Sequence, residues 1–378
     1  MELFPVHTPP GFDPHTLLAP LAAALAGEGP AVAPHIDENQ SFTGELPNDE
    51  IAAVLSTSGS TGAPKQTMLS VDALAASAMG TAYALKSEGQ WLLTLPVHYV
   101  AGFQVLVRSL YAGTRPWAMD LSTSFSPARF TEAAGELTDK VRFTSLVPTQ
   151  LHRLLEDPEP ETIKVLQRFN AILLGGAAVS DALRHRARSH GLNIVRTYGM
   201  SETSGGCVYD GVPLEGVELT NDEGRLWISG PVLADGYLGQ PELTREKFPF
   251  NSGRRWFRTD DDGTVDGNGV LTVHGRVDDV IITGGLKVSA VAVSSAIEGM
   301  AGVSEALVLG IPHPEWGAQV AAAVVGSVNP DAVRRHAQEQ LGAHAAPKIV
   351  LTLDKLPMLA NGKPDRLAVR ALFEQSVL

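Results

Sequence analysis

The stretch STSGSTGAPKQTML, from Ser56 to Leu69, places the small residues Ser58, Gly59, Ser60, Thr61 and Gly62 just ahead of Ala63, Pro64 and Lys65. Backbone amides of such a run can cradle phosphate oxygens, and its hydroxyls and a lysine add to the hold. The familiar template G-x-x-x-x-G-K-[ST] is not met. Lys65 follows Pro64, and Gln66 stands where a magnesium-binding hydroxyl is required. The plain alternative is a flexible surface linker. Against it, apolar stretches that read as strands flank the run, IAAVLS (51–56) and QTMLS (66–70).

Further stretches of the same character follow in order: LLGGAA (173–178), YGMSE (198–202), WFRTDDDG (256–263), GRVDDVIITGGLKVS (275–289) and NGKPDR (361–366). Together with TSGSTGAPK they resemble the motifs of the acyl-adenylating superfamily, which includes acyl-CoA synthetases, luciferases and peptide-synthetase adenylation domains. Six matches in the family's order, spread over most of the chain, are far more specific than any one of them.

The resemblance implies a role for each matched residue. Ser58, Ser60 and Thr61, with the amides of Gly59 and Gly62, would hold the β- and γ-phosphates of ATP, and Lys65 would lie near the leaving pyrophosphate. Gly175, Gly176 and Ala177 would let the backbone approach the adenine, and Tyr198, followed by Gly199, would stack on it. Ser201 would reach the α-phosphate, and Glu202 would ligate Mg²⁺, which favours hard oxygen ligands. The family's Thr-Gly-Asp is here Thr259-Asp260-Asp261. Asp261 is the aspartate that aligns for the ribose, while Asp260 occupies the glycine position, so both remain candidates; Arg276 would contact ribose or phosphate. Lys363 would be the catalytic lysine of adenylation, stabilising charge on the α-phosphoryl group. Asp278 aligns with the hinge about which a small domain rotates between adenylation and transfer to coenzyme A.

LPVHYVAGFQVLVRSLYAGT (95–114) bears on the acid. His98 matches the family's gate position beside the carboxylate pocket and is counted among the catalytic residues. Gln104 and Arg108, with Ser204, are the candidate substrate contacts. The stretch looks like that of the short o-succinylbenzoyl-CoA synthetases of menaquinone biosynthesis, whose aromatic acid carries two carboxylates. A cation at Arg108 would suit the second one. The alternative, that Arg108 caps or snorkels from an apolar helix of Phe103, Leu106, Val107 and Leu110, stays open. Another aryl- or acyl-CoA ligase, or an adenylation domain loading a carrier protein, would share the same motifs.

These residues need a scaffold. The stretch 142–156 reads as strand, turn and helix, and 170–202 as a βαβ unit with a helix capped by Ser180, which implies a parallel sheet. Ligands gather at the carboxyl ends of such strands, and the polar loops 57–65, 175–180 and 198–206 fall there. After residue 210 short strands and Gly/Asp turns dominate. From about Asp279 the pattern returns to strand, helix, strand. The expected fold is α/β: a large N-terminal domain over 1–277, with layered α/β sheets and a small β-barrel-like part, then a small mobile α+β domain over 278–378.

Composition bounds the rest. The 378 residues carry a formal net charge of −13 and are 44% hydrophobic. That balance speaks against nucleic acid and anionic membrane surfaces as partners, so an anionic substrate must be held by local groups. The lone Cys207 rules out an intramolecular disulfide and fits a reducing compartment. MELFPVHTPP does not read as a signal peptide, and no apolar run is long enough for a membrane span. No Cys/His cluster has metal-ligand spacing, and His185 and His190 read as a solvated helix face. The expectation is a soluble cytoplasmic protein acting on a small carboxylic acid with ATP, Mg²⁺ and coenzyme A, with a homodimer allowed.

Overall fold

The computed structural model describes the whole chain apart from residues 1, 58–64, 223, 359–363 and 378. Among the described residues the strands form four sheets. In the first, Leu3–His7, Ala31–His35 and Ile51–Thr57 run parallel, and Lys65–Ser70 and Gly236–Tyr237 add antiparallel strands. Ile51 to Leu55 are buried without alternation, as befits a strand covered on both faces.

The second sheet is the expected parallel one. Trp117–Ala118, Gln90–Leu93, Arg142–Leu146, Ala171–Leu174 and Ile194–Met200 pair in parallel, and Gly205–Tyr209 and Val212–Pro213 close the edge antiparallel. Successive side chains on a strand face opposite ways, which divides this sheet between two cores. Trp91, Leu93, Phe143 and Leu173 pack with Leu74 and Ala78 of the helix Val71–Leu85 and Phe103 and Leu106 of Val100–Tyr111. Leu92, Leu146, Ile172 and Leu174 pack on the other side with Phe130, Leu151, Leu166 and Leu183, each from a different helix. Three of those helices, Pro127–Gly135, Pro148–Leu155 and Pro160–Gln167, open on proline, which has no amide proton to lose in a first turn and a φ already set for helix. The fourth, Asp181–Ser189, is capped as its sequence suggests: the Ser180 hydroxyl accepts from the Leu183 amide at 3.3 Å.

Glu218–Asp222, Arg225–Ser229, Arg254–Val265 and Leu271–Arg276 make an antiparallel sheet, with Phe250–Asn251 pairing on Arg254 and Arg255. The last sheet joins Val280–Thr283, Leu286–Ser289, Val303–His313, Gly317–Gly326 and Ile349–Leu353. Alternation again feeds two cores, Ala306 and Val308 on one face and Leu307 and Leu309 on the other. The buried clusters of the first three sheets reach no further than Leu271, and those of the last begin at Ile281.

One expectation needs correction. Residues 198–206 are not a loop: the strand runs on through Tyr198 and Gly199 to Met200, and after the short turn Ser201–Thr203 the chain returns as Gly205–Tyr209. Ser204, at φ +52°, makes the reversal.

Candidate active site

The predicted nucleotide residues gather where parallel strands end. Gly175 follows Ala171–Leu174, and its amide donates to the Leu146 carbonyl at 3.2 Å. A Cβ at Gly175 would come within 2.3 Å of the Thr197 hydroxyl, so glycine lets the neighbouring strand close in. Gly176 sits at φ +83°, where glycine is at ease, and it and Ala177 are exposed. On the adjacent strand, a Cβ at Gly199 would meet the Gly205 carbonyl at 2.0 Å. That close approach brings the two arms of the Tyr198 hairpin together.

Tyr198 points at the ribose candidate. Its hydroxyl donates to Asp261 Oδ2 at 2.6 Å, and burial and the Asp261 charge push its ionisation well above the ordinary range. Asp260 and Asp261 are consecutive on Arg254–Val265 and therefore face opposite ways. Asp260 is met by Lys247 Nζ at 2.7 Å, Arg225 Nη1 at 2.9 Å and Arg276 Nη2 at 3.6 Å. Burial alone would raise its pKa, but the Lys247 ammonium and the two guanidinium groups outweigh that and hold it below the usual carboxylate range. The residue standing in for the family's glycine thus serves an ion cluster. Arg276 lies opposite Asp261 in the strand register while reaching toward Asp260.

Glu202 is buried in the Ser201–Thr203 turn beside buried Ser201. Its Oε1 accepts from the Tyr237 hydroxyl at 2.8 Å, and its Oε2 has no partner among the described residues. Burial and the Glu202 charge push the Tyr237 hydroxyl far up, so it remains a donor. Lys65 Nζ lies 5.6 Å from the centre of the Tyr237 ring. Tyr237 therefore links the lysine at the end of the opening loop to the acidic turn, although the two are far apart in sequence.

The acid-side residues converge on the turn at Ser204. Its carbonyl accepts from Gln104 Nε2 at 2.6 Å and from the Ser77 hydroxyl at 2.9 Å. Arg108 lies one helical turn beyond Gln104 and is 7% exposed, which disposes of the snorkelling alternative. Its guanidinium packs 5.0 Å from the centre of the Trp91 ring, and Nη2 donates to the Tyr209 hydroxyl at 3.4 Å. The Tyr209 hydroxyl lies 2.8 Å from that of Thr81, which donates to the Ser77 carbonyl. No carboxylate among the described residues pairs with Arg108. Arg108 Nε, Gln104 Oε1 and Ser204 Oγ are buried without partners. His98, 6% exposed, bonds Thr8 through Nδ1 at 3.0 Å and leaves Nε2 unpartnered. Burial, with His35 nearby, pushes its pKa down to about 4, so it is neutral and cannot serve as a cation.

Ser58, Gly59, Ser60, Thr61, Gly62 and Lys363 lie outside the described residues. Asp278 falls in the short turn Val277–Asp279, between the last residues of one set of cores and the first of the other. Sequence reasoning missed Tyr237, Thr8, Trp91, Tyr209, Arg225 and Lys247. Each reaches the site from a distant segment, and none lies in a motif; Lys247, ending an amphipathic turn, looked like an ordinary solvated cation.

The chain belongs to the AMP-binding enzyme family: the family's model matches residues 17–238, and that of the AMP-binding enzyme C-terminal domain matches residues 292–363. A probable 2-succinylbenzoate–CoA ligase of Mycobacterium tuberculosis is 38% identical over 97% of this chain and 98% of its own length. A feruloyl-CoA synthase of Amycolatopsis is 31% identical over 86% of this chain and 70% of its own. Among solved structures, ATP-bound MatB from Rhodopseudomonas palustris superposes with a TM-score of 0.82 at 23% identity, covering all of this chain and 90% of the other. The o-succinylbenzoate CoA synthetase of Bacillus subtilis, solved with its acyl-adenylate, gives 0.73 at 23% identity over 93% and 81%. These two likenesses speak to the fold.

Proposed function

We propose that the protein is an ATP-dependent 2-succinylbenzoate–CoA ligase of menaquinone biosynthesis, working in the cytoplasm. It joins the acid's carboxylate to AMP with release of pyrophosphate, then passes the acyl group to coenzyme A. The observation that carries the substrate is Arg108. A buried guanidinium without a counter-charge is costly, and an acid with a second carboxylate supplies one on binding. Trp91 and Tyr209 frame that cation, and the relatives named for this activity support the same reading.

The roles divide by position. Gly175, Gly176 and Ala177 line the adenine, with Tyr198 and Gly199 across from them. Asp261 takes the ribose hydroxyls, and Tyr198 orients it from the side; Arg276 adds a cation. Ser201 reaches the α-phosphate, and residues 58–62 with Lys65 hold the outgoing pyrophosphate. Glu202 fits a Mg²⁺ brought by the nucleotide: one carboxylate oxygen is fixed by Tyr237 and the other is open to a hard cation. Mg²⁺, when bound there, neutralises charge on the phosphates. Lys363 stabilises the charge that develops during adenylation. Residues 1–277 and 278–378 act as separate domains with Asp278 as the hinge. A homodimer is compatible with this scheme, and light scattering reads it directly.

A panel of acids assayed by pyrophosphate release tests the reading. Release is expected with 2-succinylbenzoate above benzoate, ferulate and fatty acids; greater release with a monocarboxylic acid overturns the substrate assignment. Arg108→Met should raise KM for the dicarboxylic acid by about tenfold to a hundredfold, the scale of a lost charge-assisted contact. It should leave KM for ATP nearly unchanged. Lys363→Ala should slow adenylation by ~10²–10³-fold.

A further inference from the structure

Thr8 follows the first strand and is 90 residues from His98 in sequence, yet its hydroxyl lies 3.0 Å from His98 Nδ1 and 3.0 Å from the His35 carbonyl. A hydroxyl has one proton to give. A carbonyl can only accept, so if Thr8 donates to His35, its oxygen is left to accept from a protonated Nδ1, and both contacts become hydrogen bonds. If Thr8 donates to Nδ1 instead, two bare oxygens face each other at 3.0 Å and one bond is lost. The first arrangement is favoured in a site where Thr8 is 4% and His98 6% exposed. Thr8 is itself fixed, because its amide also donates to the His35 carbonyl, at 2.8 Å.

We propose that Thr8 is a positioning residue that locks His98 as the Nδ1–H tautomer, so that Nε2 presents an uncharged acceptor which orients the incoming thiol by its S–H. An imidazole in this tautomer cannot donate from Nε2 to a carboxylate, so it does not anchor the acid. A buried acceptor without a partner is costly unless a ligand supplies the donor. Of the substrates in the proposed reaction, the thiol brings a donor to a reacting atom. Nε2 accepts that hydrogen bond without taking the proton.

This role rests on the ligase reading, but its first test needs no substrate. Nitrogen-15 NMR of the histidine-labelled full-length protein, with the His98 signals assigned by their loss in His98→Asn, should show Nδ1 protonated and Nε2 bare. Nε2 protonated in the wild type overturns the proposal whether or not any Thr8 variant folds. Thr8→Val should then mix the tautomers and slow thioester formation by about tenfold, the scale usual for groups that fix a histidine from behind. It should leave ATP–pyrophosphate exchange within about twofold, and Thr8→Ser should restore both tautomer and rate. Equal slowing of both half-reactions, or no slowing of thioester formation, overturns it. Failure of wild-type pyrophosphate exchange with 2-succinylbenzoate overturns the substrate assignment alone and leaves the tautomer result standing.

Discussion

Asp260 and Asp261 are neighbours with opposite assignments, and the difference lies in what each one meets. Asp260 is held by Lys247, whose side chain is only 11% exposed, and by Arg225. Asp260→Ala would leave these cations facing one another in a partly buried place, so it should destabilise the protein by about 2–3 kcal/mol, read by urea denaturation. Asp261→Asn should cost little stability and instead raise KM for ATP. If Asp260→Ala is neutral to stability and damages only nucleotide binding, the assignment is reversed. The sequence narrowed the choice to these two residues but went no further. Strand alternation says that they face opposite ways; which one faces Tyr198 depends on pairing with strands far away in the chain.

At the scale of elements, the parallel sheet was legible because its signals are local: apolar runs, a serine cap, prolines at helix starts. The Tyr198 region was misjudged for a physical reason. YGMSE contains the small and polar residues of a loop, and only contact with the returning strand extends the ladder to Met200. Gly199 is the residue that allows it. Gly199→Ala would force a methyl group against the Gly205 carbonyl and should destabilise by about 3 kcal/mol. A crystal structure or amide exchange across 198–206 should then show the hairpin parted at that point. The missed Tyr237 is likewise an element effect: a two-residue strand at a sheet edge carries it to Glu202.

For the molecule as a whole, two buried groups give stability opposite slopes with pH. Between the ordinary histidine range and about 4, the unfolded chain takes a proton at His98 that the folded chain refuses, so stability falls as pH drops through that window, by up to about 3 kcal/mol. Glu298 behaves in the reverse sense. Burial, helped by nearby Glu305 and opposed by the Ala306 amide, pushes its carboxyl up to about 7. The folded chain keeps that proton while the unfolded one loses it, so this contribution is present in acid and lost as pH rises from about 4.5 to about 7. Glu298→Gln is therefore expected to stabilise residues 278–378 at pH 8, on the order of 2 kcal/mol, and to do nothing at pH 4. His98→Asn should flatten the acid side alone. Denaturant midpoints of both variants across pH separate the effects. Neither could be foreseen from the sequence, because burial is set by the packing of the whole chain.

The ladder that joins Asp261 to Arg276 ends where the chain enters the short turn Val277–Asp279. A nucleotide that grips Asp261 therefore also quiets the strand leading out of the larger set of cores. Occupancy becomes a mechanical signal carried along the backbone, without any message passing through side chains. Adding AMP to the protein should slow amide exchange in 272–280, beyond the reach of the bound molecule, and exchange there unchanged by saturating AMP would show that grip and tether are independent.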